Sequence, residues 1–137
     1  MRTPALGERC NHALAVDIAE GPLPEGRIRC ERQPGVAFEK MAVPQDWLAG
    51  TFDLLLFSEV LCCLGILGLP EAARRTMECL LPRGVVVMVN CRGATDGACT
   101  GEAAAEMSMA DVEASMTVVS TRREERCRLG VLRSRTR

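Results

Sequence analysis

Residues 52–63 read FDLLLFSEVLCC, a greasy run that ends by presenting a hydroxyl and a carboxylate, Ser58 and Glu59. A carboxylate at the end of a buried strand faces the mouth of a cleft, where it can orient an amine or take its proton. The same pair also suits a helix start, with Ser58 as N-cap of a short helix over 59–65 and Glu59 near its positive end. Spacing alone leaves both readings open. A second carboxylate, Asp17, closes the run HALAVD (12–17). An acid at that point can accept hydrogen bonds from both hydroxyls of a ribose, which suits an adenosine cofactor. It is equally a common helix cap.

The thiols suggest packing more than chemistry. Eight cysteines occur, with no CxxC, and His12 is the single histidine. Zinc needs clustered thiolates or imidazoles at short spacing, so no metal site is expected. The start, MRTPALGERC, has no apolar signal core, and several cysteines sit within apolar runs such as VLCCLGIL. Small buried hydrophobes in a reducing cytoplasm are the expectation. The longest apolar run, near residues 60–69, is too short to span a bilayer.

Four runs have strand character and must position these groups: 12–17, GVAFEK (35–40), FDLLLFS (52–58) and GVVVMVN (84–90). In the second, Val36, Phe38 and Lys40 share one face, as on an edge strand. The third and fourth are continuous, which predicts strands covered on both faces. Helical or linking segments lie between them. LPEAARRTMECLL (69–81) predicts a helix with Pro70 in its first turn and a stripe of Ala73, Met77 and Leu80/Leu81. Thr100 predicts the cap of another helix, with Glu102 in its first turn. Within 20–33, Gly21, Pro22, Pro24 and Gly26 leave only about 25–32 as expected helix. Strand and helix in alternation predict one α/β domain over 1–137 with a parallel sheet.

The tail alternates over about 115–122 and 126–133, which predicts a final antiparallel pair. Its arginines could touch phosphate. The net charge of −1 and the lack of aromatics among those arginines argue against a nucleic-acid partner. A solvated strand face is the simpler account.

Taken together, AVDIAE (15–20), VAFEKMAVPQDW (36–47), TFDLLLFSEVLCCL (51–64), LLPRGVVVMVNCRGATDGACTGEAAAE (80–106) and CRLGVLR (127–133) resemble the class I S-adenosylmethionine-dependent methyltransferases. The branch most resembled is that of the nodulation N-methyltransferases (NodS-like). The resemblance implies a Rossmann-like sheet, mostly parallel, with a C-terminal antiparallel hairpin. It implies that Asp17 and Ile18 lie at the cofactor ribose, Met41, Ala42 and Val43 along the adenine, and Ser58 and Glu59 at the methyl-transfer end. Asn90, Cys91 and Arg92 would lie toward the acceptor, with Glu59, Asn90 and Arg92 as catalytic candidates. The implied cofactor is S-adenosylmethionine and the implied acceptor a small molecule or amino-sugar oligosaccharide; a homodimer is conceivable.

The sequence also departs from that family. The expected first strand and glycine-rich loop have no counterpart, and PALGERC reads as the tail of the helix that would follow them. An acid is usual at Ala42, tyrosines at Cys62 and Cys63, a His-Trp pair at Asn90-Cys91, and a tyrosine and an acid at Cys127 and Gly130. The alternative these departures support is a non-catalytic remnant or binding module of the same fold.

Overall fold

A computed structural model describes residues 3–97 and 99–135. They fall into two units, Met1–Trp47 and Leu48–Arg137.

The first unit contains α1 (Thr3–Gly7), β1 (Ala13–Asp17), α2 (Pro22–Arg29) and β2 (Val36–Lys40). β1 and β2 pair in parallel, Ala13 opposite Val36 and Asp17 opposite Lys40. The core is Leu23, Cys30 and Phe38, with Ala15 and Val36 packed against it. α2 starts three residues earlier than the sequence reading expects. Its prolines fall in the first turn, where a missing N–H leaves no helical bond unmade, and Leu23 and Gly26 are buried.

The second unit begins with β3 (Phe52–Ser58), a 3₁₀ turn (Leu61–Cys63), α3 (Gly65–Cys79) and β4 (Leu80–Cys91). It continues with α4 (Gly101–Val112), β5 (Met116–Arg123) and β6 (Cys127–Ser134). Its sheet has the order β3-β4-β6-β5. β3 runs parallel to β4, and β6 lies antiparallel to both of its neighbours. The reversed terminal hairpin expected from the tail pattern is therefore present. Alternation along β4 buries Val86, Met88 and Asn90. Val86 and Met88 line one apolar cavity with Ala72 and Thr76 of α3 and Ser108 and Val112 of α4. On the other face of the sheet Val85, Val87 and Val89 are half-buried.

Three expectations are corrected. β3 is an edge strand whose Leu54 and Leu56 are 36% and 38% exposed, so its apolar run is not covered on both faces. α3 starts at Gly65, which places Pro70 in the helix interior. Its buried stripe is Leu69, Ala72, Thr76 and Cys79, one residue out of step with the predicted one, and Leu80 is already extended. Finally, no cap is made by Ser58: Val60 precedes the 3₁₀ turn and Leu64 precedes α3, neither with a side-chain cap. Thr100 does cap α4, its Oγ1 accepting from Ala103 N at 3.1 Å.

Candidate functional site

In the first unit the candidate residues gather where β1 and β2 end. The Asp17 carboxylate accepts from Ala19 N at 2.9 Å, which folds the chain over as it leaves the strand. Met41 N donates to the Asp17 carbonyl at 3.0 Å, so Asp17 and Met41 are brought together by the backbone. Ile18 is 67% exposed. Met41, Ala42 and Val43 are half-buried. A carboxylate that the sequence reading overlooked completes this group: Asp46 accepts from Ala42 N at 3.0 Å, and Asp46 N donates to the Ala42 carbonyl at 2.9 Å. Its signal was present in VPQDW, since proline and aspartate are both turn residues. The Val43–Pro44 bond within this turn is cis.

In the second unit Ser58 and Glu59 stand at the carboxyl end of β3, beside the end of β4. Glu59 has φ 58°, a left-handed conformation that a non-glycine residue adopts only at some cost. Two bonds hold it there. Glu59 N donates to the Val89 carbonyl at 2.8 Å, and Cys91 N donates to Glu59 Oε2 at 2.8 Å. The carboxylate thus closes the ladder between β3 and β4, with Oε1 left over.

Asn90 and Arg92 do different work. Asn90 is 1% exposed, and neither its amide nitrogen nor its oxygen has a partner among the described residues. It lies beneath the start of α4, where a Cβ on Gly101 would come within 3.0 Å of the Asn90 Cβ and 2.5 Å of the Cys91 carbonyl oxygen. Glycine is required at 101 by that approach. Arg92 Nη1 donates to the Glu124 carbonyl at 2.9 Å, and its Nε meets Glu102 at 3.5 Å.

Arg92 belongs to a larger network that sequence reading could not see. Glu102 also pairs with Arg123, and Glu106 pairs with Arg123 and Arg128. The tail arginines therefore tie β5 and β6 to α4. Arg128 is the buried member, its side chain 7% exposed against 55% for Glu106. The apolar cavity beneath α3 and α4 is lined by no titratable group.

The comparisons with known proteins accord with this architecture. No protein-family model matches the chain, and no curated protein is significantly similar to it. Solved structures do match. NodS, an N-methyltransferase from Bradyrhizobium japonicum solved with S-adenosyl-L-homocysteine, superposes with a TM-score of 0.79 at 20% identity, over 96% of this chain and 71% of its own. A candidate methyltransferase from Pseudomonas syringae gives 0.78 at 23% identity, over 94% and 77%. A TehB-like SAM-dependent methyltransferase from Corynebacterium glutamicum gives 0.71 at 15%, over 96% and 72%. At such identities the likeness establishes the fold: this chain has the Rossmann-like α/β fold of those methyltransferase structures. No helix among the described residues is long and apolar enough to cross a membrane.

Proposed function

We propose that the chain is a cytoplasmic S-adenosylmethionine-dependent N-methyltransferase domain acting on an amine of a small molecule or amino-sugar oligosaccharide. The observation that carries this reading is the structural likeness to NodS over 96% of the chain, a protein solved with the demethylated cofactor. Residues of the first unit fit the ribose and base of such a cofactor. Asp17 presents a half-exposed carboxylate at the end of a parallel strand, with one oxygen on Ala19 N and acceptor capacity left for ribose hydroxyls. Met41 to Val43 offer half-buried apolar surface suited to a base.

The bound cofactor supplies an electrophilic methyl group on a sulfonium. What the chain's own residues must do is hold a neutral amine in line with it, since proximity and orientation carry most of such a reaction. Glu59 suits that task. One carboxylate oxygen is anchored by Cys91 N, which leaves the other to accept from an amine N–H. Arg92 and Asn90 take supporting roles. Arg92 is held by Glu102 and Glu124, and Asn90 is enclosed beneath α4.

A second reading rests on those same bonds. Glu59 closes a strand ladder and Arg92 closes a hairpin, and each use is complete without a reaction. A binding module that keeps the fold without turnover would look the same. Calorimetric titration with S-adenosylhomocysteine separates the possibilities. Saturable binding near one per chain supports the cofactor assignment, and a folded chain that binds none refutes it. With binding established, Glu59→Gln should lower turnover on deacetylated chitooligosaccharides or simpler amines. Equal turnover in both proteins would remove Glu59 from the reaction, and no turnover by the parent chain on any amine would leave the binding-module reading.

A further inference from the structure

The 3₁₀ turn Leu61–Cys63 carries two adjacent thiols whose sulfurs face each other at 3.8 Å. Cys62 is buried and Cys63 exposed, so the pair can be reached from solvent through one of its members. The turn is framed by Glu59 and Gly65, at φ 58° and 70°, and by Gly97, where a Cβ would run into the Cys62 carbonyl. The dithiol is thus held in place by its surroundings.

Adjacent cysteines do not readily close on each other. Their Cα atoms are about 3.8 Å apart across a trans peptide, below the usual disulfide range of about 4.4–6.8 Å. An atom inserted between the sulfurs removes that difficulty, and the spacing says which kind. With metal–sulfur bonds of about 2.3 Å, a linear two-coordinate cation needs its sulfurs about 4.6 Å apart. A bent centre with the same bond length needs about 3.5 Å at an angle near 100° and about 3.8 Å near the tetrahedral angle, so the separation of 3.8 Å suits a bent centre and not a linear one. A tetrahedral zinc ion also uses bent S–M–S angles but needs at least three protein ligands. Among the described residues no group of three or more His, Cys, Asp or Glu could supply them. The site suits a soft, bent centre that takes two sulfurs from the protein and fills its third position with its own substituent.

We infer that Cys62 and Cys63 form a chelating site for monosubstituted trivalent arsenic. Binding is a condensation without change of oxidation state. An arsonous acid, R–As(OH)₂, exchanges both As–O bonds for As–S bonds, and the two thiol protons leave in two molecules of water. Cys63, being exposed, makes the first bond, and Cys62 closes the ring.

The probe is phenylarsine oxide, added to the folded chain in excess monothiol, which strips arsenic from isolated cysteines and leaves chelates intact. Intact-mass spectrometry should show one phenylarsenic group per chain, removed by a small dithiol such as 2,3-dimercaptopropanol. The adduct should be lost in Cys63→Ser, whose exposed position leaves the fold unchanged by circular dichroism. It should be kept in Cys127→Ser, which breaks up the other facing pair, since Cys127 lies opposite Cys91 in the β4–β6 ladder. No adduct on the folded parent chain, an adduct that survives Cys63→Ser, or one that disappears with Cys127 would each overturn the assignment.

Discussion

Glu59 and Arg83 both adopt left-handed backbone, at φ 58° and 61°, and this makes them a matched pair for one experiment. Arg83 is exposed in the stretch Leu81–Gly84 that bulges out where the β3–β4 register shifts. Replacing either residue by glycine relieves a left-handed penalty of about 1–2 kcal/mol. It also loosens the unfolded chain, which costs about 0.5–1 kcal/mol. Arg83→Gly should therefore be neutral or stabilising by up to about 1.5 kcal/mol. Glu59→Gly gains the same relief but loses the carboxylate that accepts from Cys91 N. A hydrogen bond to a charged acceptor contributes about 1.5–3 kcal/mol when buried, and about 1–2 kcal/mol is reasonable at this exposed strand end. The glycine variant at 59 should accordingly be about 1–2 kcal/mol less stable than that at 83, about 4–8 °C in melting temperature. Thermal melts followed by circular dichroism measure the difference. Amide hydrogen exchange at Cys91 locates it: protection should fall in Glu59→Gly and persist in Glu59→Gln, whose amide oxygen can still accept. Equal melts with unchanged Cys91 protection would show that the carboxylate closes nothing.

Three further outcomes follow from the helices and the buried polar groups. The side-chain bonds from Arg74, and then Arg75, hold the Glu71 carboxyl down at about 2, against an ordinary 4.5. Its contribution to stability is therefore complete above pH 4.5 and lost as pH falls through 2, so the gap between parent and Glu71→Gln in urea midpoint should close over that window; a constant gap would refute the assignment. Glu106→Ala leaves the enclosed Arg128 guanidinium with only the Glu102 carbonyl and Met109 sulfur; it should cost about 1–2 kcal/mol, discounted for the exposure of Glu106, and Arg128→Met should cost less because it removes the charge as well. Asn90→Leu replaces an amide with no partner among the described residues by an apolar side chain of similar size, and should leave urea stability equal or raised; a loss of about 2 kcal/mol would mean that the amide is satisfied in solution.

Local signals were legible and distant pairings were not. The Thr100 cap and the alternation of the tail depend on a few neighbouring residues, and both elements appear within a residue or so of where the pattern puts them. The α3 stripe was misread because Pro70 was taken as a first-turn residue. In fact the helix begins four residues before the expected start at Leu69, and Thr76 and Cys79, which look neutral in sequence, face the core. The run at 52–58 signals a strand but not its place at the edge of the sheet, because a run of leucines is silent about its neighbours. The candidate site divides in the same way. Asp17, Ser58 and Glu59 were found at strand ends, as their position after apolar runs implies. Their partners, Ala19, Met41 and Cys91, are fixed by chain reversal and register. The network from Arg92 to Arg128 pairs residues 10 to 22 apart in the sequence, beyond the reach of any periodicity.

The order β3-β4-β6-β5 has a consequence for how the second unit comes into being on the ribosome. β6 is synthesised after the other three strands of this sheet, yet it lies between two of them. Until Cys127–Ser134 has left the exit tunnel, β4 lacks its second partner and β5 has none. The nascent chain can assemble only the parallel β3–β4 pair with α3, at the emergence rate of about 5–20 residues per second. The arginines at 123 and 128 must then find glutamates already displayed on α4. A ribosome stalled before Cys127–Ser134 has emerged would thus hold a half-built sheet with an apolar edge on display, the kind of surface that chaperones recognise.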